Sequence, residues 1–404
     1  MTAPSLGSRW RAVAVPMALL RLGGQAAEFV GWAILARRLG TSAFGDVAIA
    51  FLLARYAGLV ADWGASFRGA RDVAARGRHG SVHAYVRKRS LIAAGLGLGA
   101  ALLAMAIGYA ELAPFAVVVV SIGMSRDWIA IGRERGVRAG IPLAVQGTVL
   151  AVLSLLVTTP GGAALVVAAG YGLSVIISIL LNPLEPELGD DEEMSSNTYG
   201  WILAAVLANQ VTSSTDTVLL GLLKSSADAG IYAAVYRIPN AWLAILTLML
   251  GSLLPMATTS RHDDIEGHHR LRARSLKVSA IGAGLVLLVT PISWFLVPVL
   301  FGPAYLSGRA PLVILMVATA VITLAAPLHP FAISSGRDRS YALILVLGAA
   351  GNVAANLLII PVLGMVGAAL TTLCAQTVIG VLLWRLAHEA TAPSPGSSAA
   401  EPSG

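Results

Sequence analysis

Long apolar segments follow one another along nearly the whole chain, and short polar segments separate them. A helix that crosses a bilayer needs about 20 mainly apolar residues, because the hydrocarbon core is about 30 Å thick. The hydropathy pattern therefore predicts an all-α integral membrane protein with about twelve transmembrane helices. The predicted spans are residues 13–36, 43–64, 90–110, 112–132, 139–159, 163–182, 199–223, 231–257, 276–300, 311–334, 341–361 and 364–387.

The composition agrees with a membrane protein. Charged residues make up 12% of the chain and the mean hydropathy is +0.77, whereas about 25% of the residues of a soluble domain are charged. The only cysteine is Cys374, so the chain cannot form an intrachain disulfide. The N-terminal segment is basic and then apolar without a convincing small-residue cleavage site, so we interpret it as a first helix rather than a removed signal peptide.

The basic residues indicate the orientation of the spans. Most of the 28 lysine and arginine residues fall in loops on the same side as the N-terminus, and cytoplasmic loops are enriched in these residues. We therefore expect a protein of the cytoplasmic membrane with both termini in the cytoplasm. This placement accounts for the net charge of +7 without a nucleic-acid partner. The two most basic loops, within residues 67–90 and 260–277, could also bind anionic headgroups of membrane lipids.

The two halves of the chain resemble each other at an offset of 185 residues. Gln25 pairs with Gln210 and Gly45 with Gly230, and Arg-x-Arg-Ser-Leu at residues 87–91 recurs at 272–276. Equivalent helices lie an even number of spans apart, so a pseudo-two-fold axis along the membrane normal should relate the halves. We predict a six-helix bundle at 1–182, an acidic cytoplasmic linker at 183–198, a second six-helix bundle at 199–387 and a disordered tail at 388–404.

Several motifs resemble those of one family of transporters. The stretch "NLLIIPVLGMVGAALTTLCAQ", from Asn356 to Gln376, resembles the helix–Pro–x–x–Gly–x–x–Gly–Ala–Ala–helix signature of polysaccharide transporters. The preceding "SSGRDRSYAL" is similar to the Gly–Arg connector of that family, and "ILARRLGTSAFGDVAIAF" and "ADWGASFRGARDVAAR" are similar to its first helix connection and the end of its second helix. These proteins are the oligosaccharide flippases of the multidrug/oligosaccharidyl-lipid/polysaccharide (MOP) exporter superfamily.

The resemblance implies a fold and an activity. The implied fold is two six-helix bundles with a cavity between them. The implied activity is to flip an undecaprenyl-pyrophosphate-linked oligosaccharide across the cytoplasmic membrane for surface polysaccharide biosynthesis, by alternating access. The partners would be the lipid-linked oligosaccharide, membrane lipids, proteins of polysaccharide assembly and a coupling cation. No cofactor is expected, because the chain has no Gly-rich phosphate-binding loop for ATP.

Polar residues inside the predicted spans are the candidate site. A charged side chain at the bilayer centre costs about 2.5–3.5 kcal/mol on insertion scales and usually faces a cavity or a partner. In the first span three polar residues fall at i, i+4 and i+7 on one helical face, and the seventh span carries a corresponding stripe. Arginine suits a pyrophosphate, because its planar guanidinium forms bidentate hydrogen bonds. The predicted cargo-binding residues are Arg21, Gln25, Glu28, Arg55, Asn209, Ser213, Asp216, Arg237, Asn240, Asn352 and Asn356.

These polar residues also have a purely structural interpretation. Buried arginines and acids can neutralise one another as pins between helices, and serine and threonine often serve close helix packing. Asp62, Arg126 and Asp127 are open to both interpretations. For Arg21, Gln25, Asn209 and Asp216 the repeat predicts a position beside a water-accessible space that the two halves share.

Other functions remain open at this point. A cation-coupled multidrug exporter of the same superfamily would use acidic residues in its cavity, and Glu28, Asp62 and Asp216 fit that function. A membrane glycosyltransferase or polymerase would need acid and base residues on a sizeable loop, and the predicted outward loops are short. We therefore do not expect an enzyme. A passive scaffold in a polysaccharide assembly complex is a further alternative.

Overall fold

The computed structural model describes residues 6–70, 73, 82–184, 199–251, 253, 265–334 and 337–389. Every regular element within these residues is helical. Eight helical segments have the length and hydropathy to cross a membrane, and two of them, Val13–Asp62 and Arg339–His388, are 50 residues long and contain a break. Two further helices, Tyr199–Leu223 and Ser226–Gly251, have 25 and 26 residues. The described chain therefore has the all-α fold with twelve spans that the hydropathy pattern predicts.

The first six helices form the N-lobe. The element Leu6–Asp62 breaks at Gly40, whose φ of 74° favours glycine, and its parts are α1 (6–39) and α2 (41–62). The other helices are α3 (His83–Ala106), α4 (Ala116–Met124, after the 3₁₀ turn Ala110–Phe115), α5 (Gly136–Leu153) and α6 (Pro160–Leu181).

The last six helices form the C-lobe. They are α7 (Tyr199–Leu223), α8 (Ser226–Gly251), α9 (Ile265–Leu300), α10 (Arg309–Ala325) and the element Asp338–Glu389, which breaks at Gly364 into α11 (338–363) and α12 (365–389). The predicted linker at 183–198 and the predicted tail at 388–404 lie almost entirely outside the described residues.

The fourth span is not the continuous helix predicted for residues 112–132. α4 ends before Ser125, whose backbone is extended, and a short helix, Asp127–Gly132, follows. The freed carbonyl oxygen of Ser125 accepts hydrogen bonds from Trp128 Nε1 at 3.1 Å and from Arg89 Nη1 at 3.4 Å. Backbone polar groups within a bilayer need partners inside the protein, so these two side chains make the break possible.

Asp62 and Arg89 join α2 to α3 as a structural pin. Arg89 Nη2 donates a hydrogen bond to Asp62 Oδ1 at 2.5 Å. The side chain of Arg89 is 2% exposed and that of Asp62 is 6% exposed. Asp62 also accepts hydrogen bonds from the backbone and the hydroxyl of Ser66. The pin interpretation therefore holds for Asp62, which is buried.

Glycines allow α1 and α5 to pack with their backbones in contact. A Cβ atom on Gly24 would lie 2.5 Å from the carbonyl oxygen of Leu143, and one on Gly147 would lie 1.9 Å from the carbonyl oxygen of Gly24. Close packing of this kind drives helix association in lipid, where the hydrophobic effect between helices is absent. This packing fixes α1 in the N-lobe and leaves another of its faces for the C-lobe.

Candidate functional site

The two lobes touch where α2 crosses α8, at the end of the molecule that carries the break at Gly40. A Cβ atom on Gly45 would lie 1.8 Å from the carbonyl oxygen of Ser226, and one on Gly230 would lie 2.0 Å from the carbonyl oxygen of Thr41. The two contacts are equivalent under the repeat, because each glycine and each carbonyl lies 185 positions from its counterpart. The pseudo-two-fold axis therefore passes between the two glycines, at an approach that a side chain would block.

Side chains reinforce this end of the interface. Ser226 Oγ, at the crossing of α2 and α8, donates a hydrogen bond to Asp46 Oδ1 at 2.6 Å. Arg37 Nη2 donates to the carbonyl oxygen of Val299 at the end of α9, at 2.7 Å. Tyr305 donates its hydroxyl to the carbonyl oxygen of Ala36 at 2.7 Å. The lobes are therefore bonded together here, and we call this end of the molecule the closed end.

Farther from the closed end, α2 and α7 join the lobes through polar side chains. Arg55 Nη2 donates to Gln210 Oε1 at 3.5 Å. The hydroxyl of Tyr56 lies 3.2 Å from Ser214 Oγ and 2.9 Å from Thr215 Oγ1. Among the hydrogen bonds between the lobes that the described residues form, these lie farthest from the closed end.

The helices that pack across the lobes in the described chain are α1 and α2 on one side and mainly α7 and α8 on the other. The remaining N-lobe helices, α3 to α6, make no comparable packing with the C-lobe within the described residues. Within the described residues, the hydrogen bonds between α2 and the C-lobe extend from Asp46 to Tyr56. The polar side chains at the level of Tyr56 therefore lie between the two lobes, away from the closed end.

Arg237 of α8 also reaches the N-lobe. Its Cζ lies 3.9 Å from the ring centroid of Trp32 on α1. Trp32 Nε1 donates to Glu28 Oε1 at 3.3 Å, and Gln146 Nε2 donates to Glu28 Oε2 at 3.4 Å. Electrostatically, Glu28 attracts Arg237 and Arg55 repels it. Trp32 therefore contacts both Arg237 of the C-lobe and Glu28 of its own helix.

Arg21 and Gln25 continue the polar face of α1 away from the closed end. Arg21 Nε and Gln25 Oε1 are buried and have no hydrogen-bond partner among the described residues. Asp127 attracts Arg21 but accepts its hydrogen bond from Ser178 Oγ, at 2.6 Å. Because buried polar atoms rarely lack a partner, Arg21 and Gln25 are candidates to bond a polar ligand.

Three smaller polar residues of the C-lobe differ in their availability. Asn209 on α7 and Asn240 on α8 are exposed. Ser213 is half-buried, and its hydroxyl donates to the carbonyl oxygen of Asn209 at 2.7 Å. The two amides are therefore accessible to a ligand, whereas the serine hydroxyl is already bonded within its own helix.

Asp216 is buried inside the C-lobe, contrary to the expectation from the repeat, and the predicted cargo-binding residues Asn352 and Asn356 are buried there as well. Asp216 is 1% exposed and accepts hydrogen bonds from Tyr232 on α8 at 2.5 Å and Thr372 on α12 at 3.1 Å. The two asparagines are 2% and 0% exposed, and Asn356 Nδ2 donates to Asn352 Oδ1 at 3.2 Å. These residues form a buried polar cluster inside the C-lobe, because their faces of α7 and α11 turn towards neighbouring helices.

Two aromatic residues of the site, Trp32 and Tyr56, were not found by the sequence analysis. An aromatic residue in an apolar segment gives no signal by itself, since packing is its usual role. Their positions relative to the charged residues on the same helices are the signal that could have identified them. Trp32 lies one turn after Glu28 on the same face of α1, and Tyr56 directly follows Arg55.

Comparison with known proteins finds a relative by sequence. No family model matches the chain. The protein described as "Probable flippase AglR" from Haloferax volcanii is 27% identical over 207 residues. The matched region covers 50% of this chain and 43% of that protein, so the similarity spans less than half of the relative's length.

Several solved structures resemble the whole chain. An inward-facing multidrug resistance MATE family transporter of the MOP superfamily has a TM-score of 0.65, with 14% identity over 93% of this chain and 98% of that chain. A MOP superfamily transporter from Pyrococcus furiosus has a TM-score of 0.65, with 14% identity over 97% and 99% of the two chains. The lipid II flippase MurJ has a TM-score of 0.64, with 11% identity over 93% and 87%. The chain is therefore a multi-pass membrane protein with the fold of the MOP superfamily transporters.

Proposed function

We propose that this protein is a transporter that flips a lipid-linked oligosaccharide with an anionic pyrophosphate link across the cytoplasmic membrane, for surface polysaccharide biosynthesis. The observation that carries the proposal is the group of arginines at the contact between the lobes. Arg55 and Arg237 come from opposite lobes, and Arg21 follows on α1 with an unpartnered Nε. Guanidinium groups bind phosphate oxygens through bidentate, charge-assisted hydrogen bonds. A cationic drug would meet electrostatic repulsion at the same place.

Neutral polar groups beside the arginines suit the sugar part of such a cargo. Gln25 has a buried carbonyl oxygen without a partner, and the amides of Asn209 and Asn240 are accessible. Amide groups both donate and accept hydrogen bonds, as sugar hydroxyls do. The names of two similar proteins, a probable flippase and a lipid II flippase, also support a flippase.

Alternating access follows from the asymmetry of the interface. The distribution of lysine and arginine predicts that the closed end faces outwards, so the arginine group would be reached from the cytoplasm in this structure. Release on the outside would require the lobes to separate at Gly45 and Gly230 and to approach each other at the opposite end. The reciprocal crossing of α2 and α8 places the closed end on the pseudo-two-fold axis, where a rocking motion can separate both halves equally.

Substitution of the arginines tests the anionic cargo. A hydrogen bond to a charged group contributes about 1.5–3 kcal/mol, so Arg55→Ala or Arg237→Ala should lower export by about tenfold or more. Arg→Lys at either position should give intermediate export, because lysine keeps the charge but loses the planar fork. The measurement is surface polysaccharide per unit of membrane-inserted protein, in a strain that lacks its own copy of the transporter.

Arg87→Ala is the matched control for these variants, because Arg87 is an exposed arginine on α3 outside the site. It should leave export unchanged. If Arg55→Ala and Arg237→Ala both retained full export, an anion-binding role for the arginine group would be excluded. If the variants reduced the amount of inserted protein but each inserted molecule exported normally, the arginines would instead have a role in stabilising the fold.

Asp216 is the candidate site for a coupling cation. Its hydrogen-bond donors are all neutral, namely Tyr232, Thr372 and the backbone amide of Thr217 at 2.9 Å. A buried carboxylate without a cationic partner is unfavourable, so a bound proton or Na⁺ would neutralise it. The site touches α7 and α8, which carry the interlobe contacts, so its occupancy could alter the balance between the two states. A cation-coupled drug exporter would use the same device, and the charge of the cargo distinguishes the two functions.

A further inference from the structure

Glu28 stands in the arginine group although its charge opposes an anionic cargo. Its two carboxylate oxygens accept hydrogen bonds from Trp32 Nε1 at 3.3 Å and from Gln146 Nε2 at 3.4 Å. Both donors belong to the N-lobe and both are neutral. These bonds hold the carboxylate in place, but neither donor balances its negative charge. Another residue must do so.

The C-lobe supplies the balancing charge through Arg237. The guanidinium carbon lies 3.9 Å from the centroid of the Trp32 ring, and that ring is fully buried against Phe51, with 4.8 Å between the two centroids. An aromatic face attracts a cation, so Trp32 holds Arg237 beside the carboxylate that the same ring bonds through its N–H group. Arg237 Nε has no hydrogen-bond partner among the described residues, so donor capacity remains for a ligand.

We propose that Glu28 is the internal counter-ion of Arg237, and that the anionic group of the cargo replaces it when the cargo binds. The inference rests on the proposed anionic cargo and assigns Glu28 a role opposite to direct cargo binding. A neutral or cationic molecule cannot compete with a carboxylate for a guanidinium group. Glu28 therefore restricts binding to ligands that carry a negative charge.

The exchange also connects binding with the lobes. The contact of Arg237 with Trp32, next to Glu28, joins the C-lobe to the N-lobe beside the closed end. An anion that takes the guanidinium from Glu28 weakens this contact. Binding of the correct cargo therefore lowers the stability of the interface that must separate before the cargo is released.

The test is the affinity of Glu28→Gln for inorganic pyrophosphate. Glutamine has the shape of glutamate, and its carbonyl oxygen can still accept the hydrogen bond from Trp32. Its NH2 group can donate to Gln146 once the Gln146 amide turns its oxygen towards it, so the substitution removes the charge and reverses one hydrogen bond. Full-length protein in lipid nanodiscs is titrated with pyrophosphate by calorimetry. Without the competing carboxylate, the Kd should fall about tenfold relative to the wild type. Glu111→Gln removes an exposed charge elsewhere in the N-lobe and should leave the Kd unchanged.

The same titration of Arg237→Ala separates this inference from the proposed function. Tighter binding by Glu28→Gln, together with weaker binding by Arg237→Ala, supports the counter-ion role. An unchanged or weaker affinity of Glu28→Gln, with binding that still depends on Arg237, overturns the counter-ion role alone. No pyrophosphate binding by any of the proteins overturns both the counter-ion role and the anionic cargo. Glu28→Ala removes the same charge and replaces the glutamine variant in these comparisons if that variant does not accumulate.

Discussion

A disulfide between Asp46→Cys and Ser226→Cys should abolish transport, and a reductant should restore it. The two native side chains meet across the lobes, with 2.6 Å between Ser226 Oγ and Asp46 Oδ1. A disulfide needs its two residues in such direct apposition. Alternating access requires the lobes to separate at this point, so a covalent bond there holds the protein in the state that the structure shows. Cys374 is exposed and should be replaced by alanine first, so that the introduced pair reacts alone.

The rate of flipping of a fluorescent lipid-linked oligosaccharide in proteoliposomes is the measurement, before oxidation, after oxidation and after reduction. Each single-cysteine variant is the control and should flip at the same rate throughout. Flipping at an undiminished rate by the cross-linked protein would contradict the role of the Gly45–Gly230 crossing as a gate.

Asp216→Asn should remove the dependence of transport on a cation gradient. The amide resembles the neutralised carboxylate in shape and can still accept hydrogen bonds from Tyr232 and Thr372, but it binds neither a proton nor Na⁺ in the same way. Wild-type protein should flip its cargo faster when a proton or Na⁺ gradient is imposed across the vesicle membrane. The variant should flip at one rate with or without the gradient.

Glu111→Gln is again the control, because Glu111 is exposed and lies outside the buried cluster. It should keep the gradient dependence of the wild type. If Asp216→Asn responded to the gradient as the wild type does, the coupling cation would have to bind elsewhere. If the variant lost flipping in all conditions but remained folded, Asp216 would be required for the motion itself rather than for coupling.

The helices could be predicted from the sequence because the bilayer imposes a simple condition on them. Each span must form its backbone hydrogen bonds within itself over about 20 mainly apolar residues. The sequence therefore shows apolar segments of that length separated by short polar segments. The break of the fourth span could not be predicted in the same way. It depends on Arg89 and Trp128, which reach the carbonyl oxygen of Ser125 from elsewhere in sequence or from the next turn. Such a tertiary contact has no local signature.

The site could be predicted only in part, because hydropathy shows that a residue is polar but not where its side chain points. Arg55 was predicted to bind cargo, and in the structure it donates a hydrogen bond to Gln210 of the other lobe. Asp216 lies on the same helix as Gln210, less than two turns away, and yet its side chain enters the C-lobe. The repeat could also have predicted the crossing of α2 and α8. Gly45 and Gly230 are equivalent positions, and equivalent positions near a two-fold axis meet each other.

The most direct test of the account is a comparison of cargoes in proteoliposomes that contain the purified full-length protein. One set of vesicles carries a lipid-linked oligosaccharide with a pyrophosphate link, and a second set carries a cationic amphiphilic drug. We expect flipping of the oligosaccharide well above the rate in protein-free vesicles, loss of that flipping in Arg55→Ala and Arg237→Ala, and no transport of the drug. Transport of the cationic drug without flipping of the lipid-linked oligosaccharide would contradict the account and identify a multidrug exporter instead.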